Sequence, residues 1–210
     1  MNQRKCNVAV LLASLPVILA LTLVATPALA QRAAPPNVKV GDRWQFVEYY
    51  TVPSTKPNRT WVVTAVSPTG IEGTDNGAPL KLTRDMNVLE SSVSRNSNPR
   101  VLDFPLEVGK RWQYTSNWLF KPKGSSGAIA VDIAVLAYEK VKVPAGEFDA
   151  FRIAATEKVS GTSPIGSQYG GEITRTYWYA PEARVIVKTE SRNPYLGPST
   201  LELVAFELRP

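Results

Sequence analysis

Apolar and polar residues alternate with a period of two along most of this chain, and this alternation limits its fold more than any other feature. Val131, Ile133 and Val135 are apolar, whereas Asp132 between them is charged. Successive side chains of a strand point to opposite faces, so the pattern predicts strands with one buried and one solvated face. Comparable alternation occurs at 43–51, 60–66, 79–84, 87–93, 111–120, 148–159, 172–180, 184–191 and 200–208. No segment shows the apolar period and the caps of an amphipathic helix.

Turn-forming residues separate these runs. Examples are Asn76-Gly77, Asn98-Pro99 and Asn193-Pro194, combinations that favour chain reversal over continued strand. Many short strands separated by turn-forming residues predict an all-β domain. We expect a curved antiparallel sheet over residues 38–210, as an open half-barrel or a sandwich, with few or no helices.

A short motif occurs twice. Residues 40–46 read VGDRWQF, and residues 108–114 read VGKRWQY. The glycine supplies a turn conformation that other residues avoid, and the following residues enter a strand. We interpret 38–104 and 105–210 as two pseudo-repeated halves of one domain, because either half alone is too small to bury a core of its own.

The N-terminal residues 1–30 resemble a cleavable signal peptide. Arg4 and Lys5 precede a nearly unbroken apolar run, and Ala28 and Ala30 form the small-x-small pattern that a signal peptidase recognises. The alternative is an uncleaved membrane anchor. We expect cleavage after Ala30, a short disordered lead at 31–37, no stable membrane span after processing, and a periplasmic or extracellular location.

The residue inventory excludes much chemistry. The chain has no histidine, and its one cysteine, Cys6, lies in the expected signal peptide. Serine and cysteine triads that depend on histidine, and zinc sites of histidine or cysteine, are therefore absent from the processed domain. We predict no catalytic residue, no cofactor and no metal site.

Charge does not indicate a nucleic-acid partner. The formal net charge is +6, but the cations are scattered and the chain is expected to leave the cytoplasm. A basic surface suited to an anionic envelope explains the charge without nucleic acid.

Two carboxylates facing each other across a cleft could still hydrolyse a glycoside. The residues considered are Glu48, Asp132, Glu172 and Glu190. Each alternates with apolar neighbours as a solvated outer-face residue would, so we expect these acids to be surface residues.

Three aromatic residues are candidates for contact with a ligand or partner. Trp178 shares a strand face with Glu172 and Thr174, and Trp118 and Phe120 precede a loop rich in glycine and serine. Aromatics at the mouth of a curved sheet could hold an acyl chain, a peptide or a sugar.

The second half resembles a known family. Residues 143–151 read VPAGEFDAF and residues 176–182 read TYWYAPE, which is similar to exported bacterial TapB-like domains of unknown function. Ala183-Arg184-Val185 departs from the glycine-containing turn expected there. A distant likeness to the half-barrels of the lipoprotein carriers LolA and LolB is also considered. The resemblance implies an exported domain, and the family has no known catalytic residues that could be assigned to this chain.

Three functions are consistent with these features. The leading hypothesis is a non-enzymatic binding module of the cell envelope that holds a lipid-like hydrophobic ligand or a partner segment on a curved sheet. The second is a structural or assembly protein that docks on another envelope protein through a sheet face or edge. The third is the carboxylate glycosidase.

Overall fold

The computed structural model describes residues 31–50, 58–194 and 196–210, and within these ranges the chain contains strands and no helix long and apolar enough to cross a membrane. The expected signal peptide, with Ala28 and Ala30, lies outside the described residues. The strands are β1 Arg32–Ala33, β2 Arg43–Tyr49, β3 Arg59–Ser67, β4 Gly70–Asp75, β5 Ala78–Leu82, β6 Val88–Glu90, β7 Ser94–Asn96, β8 Leu106–Glu107, β9 Arg111–Phe120, β10 Ser125–Val143, β11 Gly146–Thr162, β12 Gln168–Ala180, β13 Val185–Asn193 and β14 Gly197–Glu207. The all-β prediction is confirmed.

Twelve of these strands close into one antiparallel barrel, so the expected open half-barrel or sandwich is wrong. The order around the barrel is β10-β11-β12-β13-β14-β2-β3-β4-β5-β6-β7-β9. Closure comes from the pairing of β14 with β2, which joins distant parts of the chain, and of β7 with β9, which spans the segment containing β8. These two pairings satisfy the backbone groups that an open sheet would leave along its edges.

The barrel divides into two runs of six strands, β2 to β7 and β9 to β14, and each run begins with a copy of the repeated motif. Gly41 and Gly109 have φ of 90° and 92°, a backbone conformation that favours glycine. Gly41 N–H donates to the Val63 carbonyl and Gly109 N–H donates to the Val135 carbonyl, each at 2.9 Å. The two copies therefore share one turn geometry.

The lead at 31–37 was expected to be disordered, but part of it forms a short strand, β1. Arg32–Ala33 pairs with Leu106–Glu107 as a separate two-stranded sheet. Ala33 and Leu106 are buried. Backbone pairing with β8 and burial of Ala33 order this segment, although its sequence has no apolar period.

The barrel end that carries both motif turns, here called the motif end, is filled by side chains. Trp44 is fully buried and its indole N–H donates to the Ala183 carbonyl at 2.7 Å. The turn between β10 and β11 also closes this end, because Ala145 N–H donates to the Leu203 carbonyl at 3.0 Å. The ring of Phe148 next to that turn contacts Phe206, with 5.8 Å between centroids.

Asp42, the variable residue of the first motif copy, connects distant parts of the motif end. Its side chain is fully buried. One carboxylate oxygen accepts from Lys39 N–H at 2.9 Å and from Arg184 Nη1 at 3.0 Å, and the other accepts from Arg209 N–H at 2.7 Å. In the second copy Lys110 occupies this position and forms an ion pair with Asp103 at 2.9 Å.

Candidate functional site

A cavity of about 430 Å³ lies inside the barrel. Its apolar lining residues include Phe46, Trp61, Val88, Leu102, Ile129 and Leu201. Its polar, uncharged lining residues include Asn96, Ser116, Thr189, Ser191, Asn193 and Ser199. The volume lies within the range of small-molecule sites in proteins.

Apolar and polar lining residues are arranged in order along the strands. On β2 Phe46 lies nearer the motif end than Glu48, and on β14 Leu201 lies nearer that end than Ser199. Strands β3 and β13 show the same arrangement. Trp61 lies nearer the motif end than Arg59, and Val185 lies nearer that end than Ser191. Along these four strands, the cavity is therefore apolar toward the motif end and polar toward the opposite end, here called the mouth end.

The mouth end carries exposed apolar side chains that also line the cavity. Tyr50, directly after β2, is 53% exposed, and Leu196, between β13 and β14, is 69% exposed. Because these residues touch both solvent and the cavity, they mark the side from which a ligand would enter.

A buried ion pair lies in the cavity wall. Glu157 on β11 is 1% exposed, and both of its carboxylate oxygens accept from Nη1 of Arg175 on β12, at 2.6 and 2.7 Å. Nε of Arg175 donates to the Ser191 hydroxyl at 3.4 Å, and the Tyr177 hydroxyl donates to Glu157 at 3.3 Å. The side chain of Arg175 keeps 30% of its surface accessible and lines the cavity, so the pair presents its guanidinium to that space.

Burial governs the protonation of this cluster. Desolvation raises the pKa of Glu157, and the charge of Arg175 and the Tyr177 hydrogen bond offset only part of that rise. Desolvation also raises the pKa of Tyr177. It raises the pKa of Tyr114 to about 12, with a further contribution from the Glu157 charge. Both phenols therefore stay protonated at neutral pH and can donate hydrogen bonds.

A second ion pair lies across the cavity on the first half of the barrel. Arg59 on β3 contacts Asp75 on β4, with 2.7 Å between Nη2 and Oδ2. The guanidinium of Arg59 also lies over the Trp61 ring, 5.2 Å from its centroid, as a cation–π contact requires. The cavity thus has one arginine–carboxylate pair from each half.

The three predicted aromatics do not line the cavity. Trp178 lies on the outer wall, where its indole N–H donates to Glu139 at 3.1 Å and Lys188 lies 5.4 Å from the ring centroid. Trp118 lies on the inner face toward the mouth end, beside the ring of Tyr169 at 6.1 Å between centroids. Phe120 ends β9 and pairs with Ser125 and Ser94.

Of the four predicted carboxylates, one lies inside the barrel and three lie on its outer wall. Glu48 lines the cavity. Asp132, Glu172 and Glu190 have side chains on the outer wall, where Asp132 accepts from Gln113 and Glu190 contacts Lys188 at 2.9 Å. In the part of the chain that the structure describes, no three acidic, histidine or cysteine residues come together as metal ligands.

Sequence reasoning missed the two central residues, Glu157 and Arg175. A signal was present, because Glu157 continues the apolar series of Ile153 and Ala155 at period two. Arg175 likewise stands between Ile173 and Tyr177. A charged residue in an apolar series of this kind predicts a buried charge inside the barrel.

Comparison with known proteins identifies solved structures with a similar fold but no matching family. No family model matches the chain, and no curated protein matches it. A Parabacteroides distasonis protein named as a lipoprotein is 15% identical, with a TM-score of 0.52 over 83% of this chain and 99% of that chain. This likeness shows a shared fold.

Two further solved structures are similar at lower scores. A Bacteroides fragilis protein named as exported, with a YmcC-like fold, is 16% identical with a TM-score of 0.49, covering 83% of this chain and 99% of that chain. The hypothetical lipoprotein YmcC of Escherichia coli is 12% identical with a TM-score of 0.45, covering 80% and 85%. The resemblances to TapB-like domains and to LolA and LolB stay predictions.

Proposed function

We propose that this protein is a non-enzymatic binding protein of the cell envelope that holds one amphipathic ligand inside its barrel. The observation that carries the proposal is the cavity of about 430 Å³ within a closed barrel. Closed barrels with an interior of this kind hold single small ligands in other protein families.

The order of the lining supports a ligand with two chemically different ends. An apolar tail would lie among Phe46, Trp61 and Leu201, where burial of apolar surface contributes about 25 cal/mol per Å². A polar group would lie toward the mouth end among Ser191 and Ser199, where hydroxyls replace the hydrogen bonds that it makes to water.

An exported location supports the same proposal. The first 30 residues have the composition of a signal peptide, and the Parabacteroides protein that shares the fold is named as a lipoprotein. Envelope proteins with a closed interior are suited to holding molecules that do not dissolve freely in water.

The competing functions lose some of their support. Each of the twelve barrel strands in the described residues pairs with two neighbours, so an assembly protein could dock through an outer face, a loop or the small β1–β8 sheet and not through an edge of the barrel sheet. Glycoside hydrolysis needs two carboxylates that face each other across a cleft, but three of the four predicted acids lie on the outer wall. Glu157, which lies inside the barrel, forms an ion pair with Arg175.

Filling the cavity is expected to abolish ligand binding. Ser199→Trp places an indole in the cavity, because Ser199 is a small lining residue. Native mass spectrometry of the exported protein with added monolaurin should show one bound molecule per wild-type chain and none for the variant.

Thr174→Trp on the exposed outer wall of β12 is the matched control, and circular dichroism verifies that both variants are folded. Retention of monolaurin by folded Ser199→Trp would refute the proposal, and so would failure of the wild type to bind both monolaurin and its anionic counterpart laurate.

A further inference from the structure

We infer that the polar end of the ligand is uncharged and bears hydroxyl or amide groups, and that the cavity selects against an anionic end such as a fatty-acid carboxylate. This inference rests on the proposed function and adds the chemical class of the ligand. Its evidence is the charge balance of the cavity wall.

Each arginine in the lining already has a carboxylate partner. Arg175 contacts Glu157 at 2.6 Å, and Arg59 contacts Asp75 at 2.7 Å. An anionic group that entered the cavity would therefore meet guanidinium groups whose charge is already balanced by a carboxylate at hydrogen-bonding distance. Displacing that carboxylate would leave it buried without its partner, which is costly.

Glu48 adds a third carboxylate to this region. It lines the cavity, and among the described residues it has no ion pair. Among the described residues, the charged lining groups are therefore Arg59, Arg175, Glu48 and Glu157, and Asp75 beside Arg59 adds a further carboxylate. An anion that entered the cavity would lose its hydration and would find each described arginine of the lining already paired with a carboxylate.

The remaining polar groups match an uncharged partner. Ser191, Ser199 and Thr189 have hydroxyls, each of which can donate and accept, and Asn96 has an amide with both functions. Hydroxyl and amide groups on a ligand also donate and accept, so they can pair with this set without any change of charge.

Two probes with the same acyl chain test the inference. Monolaurin carries an uncharged glycerol end, and laurate carries a carboxylate. By isothermal titration calorimetry at pH 7.5, the exported protein should bind monolaurin at least about tenfold more tightly than laurate.

Laurate binding as tightly as monolaurin, or more tightly, would overturn the inference while leaving the proposed function intact. If neither probe binds, the proposed function itself fails. The two failures are therefore distinguishable in one experiment.

Variants of the carboxylates test the stated cause. Asp75→Asn leaves Arg59 without its carboxylate and should raise the affinity for laurate about tenfold, with little change for monolaurin. Glu48→Gln removes a negative charge without breaking an ion pair in the described residues, and should shift the preference in the same direction.

Asp132→Asn on the outer wall is the matched control and should leave both affinities unchanged. If folded Asp75→Asn and Glu48→Gln both keep the wild-type ratio of affinities, the wall charges do not set the preference and the inference is wrong.

Discussion

Replacing Asp42 by alanine is expected to lower the free energy of unfolding by about 3–5 kcal/mol, the usual effect of removing one partner of a buried ion pair. Asp42 is fully buried and accepts hydrogen bonds from Arg184 and from two backbone N–H groups, those of Lys39 and Arg209. The substitution removes the acceptor that these three donors share, and with it the link between the start of β2, the β12–β13 turn and the C-terminal residues.

Urea denaturation followed by circular dichroism measures this effect. Asp132→Ala is the matched control, because Asp132 lies on the outer wall and exposed substitutions change stability by about 0.5 kcal/mol or less. A loss below about 1 kcal/mol for Asp42→Ala would show that the motif end does not depend on this carboxylate.

Replacing Arg175 by methionine is expected to cost about 3–5 kcal/mol near pH 8, because Glu157 would stay buried and charged without its partner. The cost should decrease toward pH 5. Burial raises the pKa of Glu157 in the folded protein above its ordinary value, and loss of the guanidinium raises it further. A carboxyl with a raised folded pKa stabilises the fold at low pH, and this stability is lost as pH rises through the folded pKa.

Two further variants separate charge from packing. The double variant Arg175→Met with Glu157→Leu removes both charges, so its stability should return to within about 1 kcal/mol of wild type or exceed it. Arg192→Met, at an exposed position of β13, should change stability little. If the loss for Arg175→Met is the same at pH 5 and pH 8, an uncompensated Glu157 charge is not its cause.

The strands could be predicted from local sequence because the side-chain period of a strand is a local property. Predicted and observed bounds agree closely for β9, where both are 111–120, and for β12, predicted at 172–180 and observed at Gln168–Ala180. The strand Gly70–Asp75 was missed, because two of its six residues are glycine and the apolar series is short.

Closure of the barrel could not be predicted from the same signal. Alternation gives each strand two faces, but it does not say which strand pairs with β14 or with β7. The pairing of β14 with β2 joins residues far apart in the chain, such as Phe46 with Leu203, and both pairings depend on the stagger of all twelve strands together.

The site was predictable in part. Alternation correctly grouped Trp178 with Thr174 on one face, but the sequence did not tell which face of the strand is the interior. Once β12 is placed in a closed barrel, the opposite set, Arg175 and Tyr177, faces the cavity. An acid inside an apolar series, as at Glu157, is the sequence signal to follow in similar chains.

Quenching of tryptophan fluorescence by a monolaurin analogue brominated on its acyl chain tests most directly whether the ligand lies inside the barrel. Trp61 lines the cavity, and Trp178 lies on the outer wall. We predict that the analogue quenches the wild-type protein, that Trp61→Phe loses most of this quenching, and that Trp178→Phe keeps it. Loss of quenching in Trp178→Phe with retention in Trp61→Phe would place the ligand outside the barrel and contradict this account.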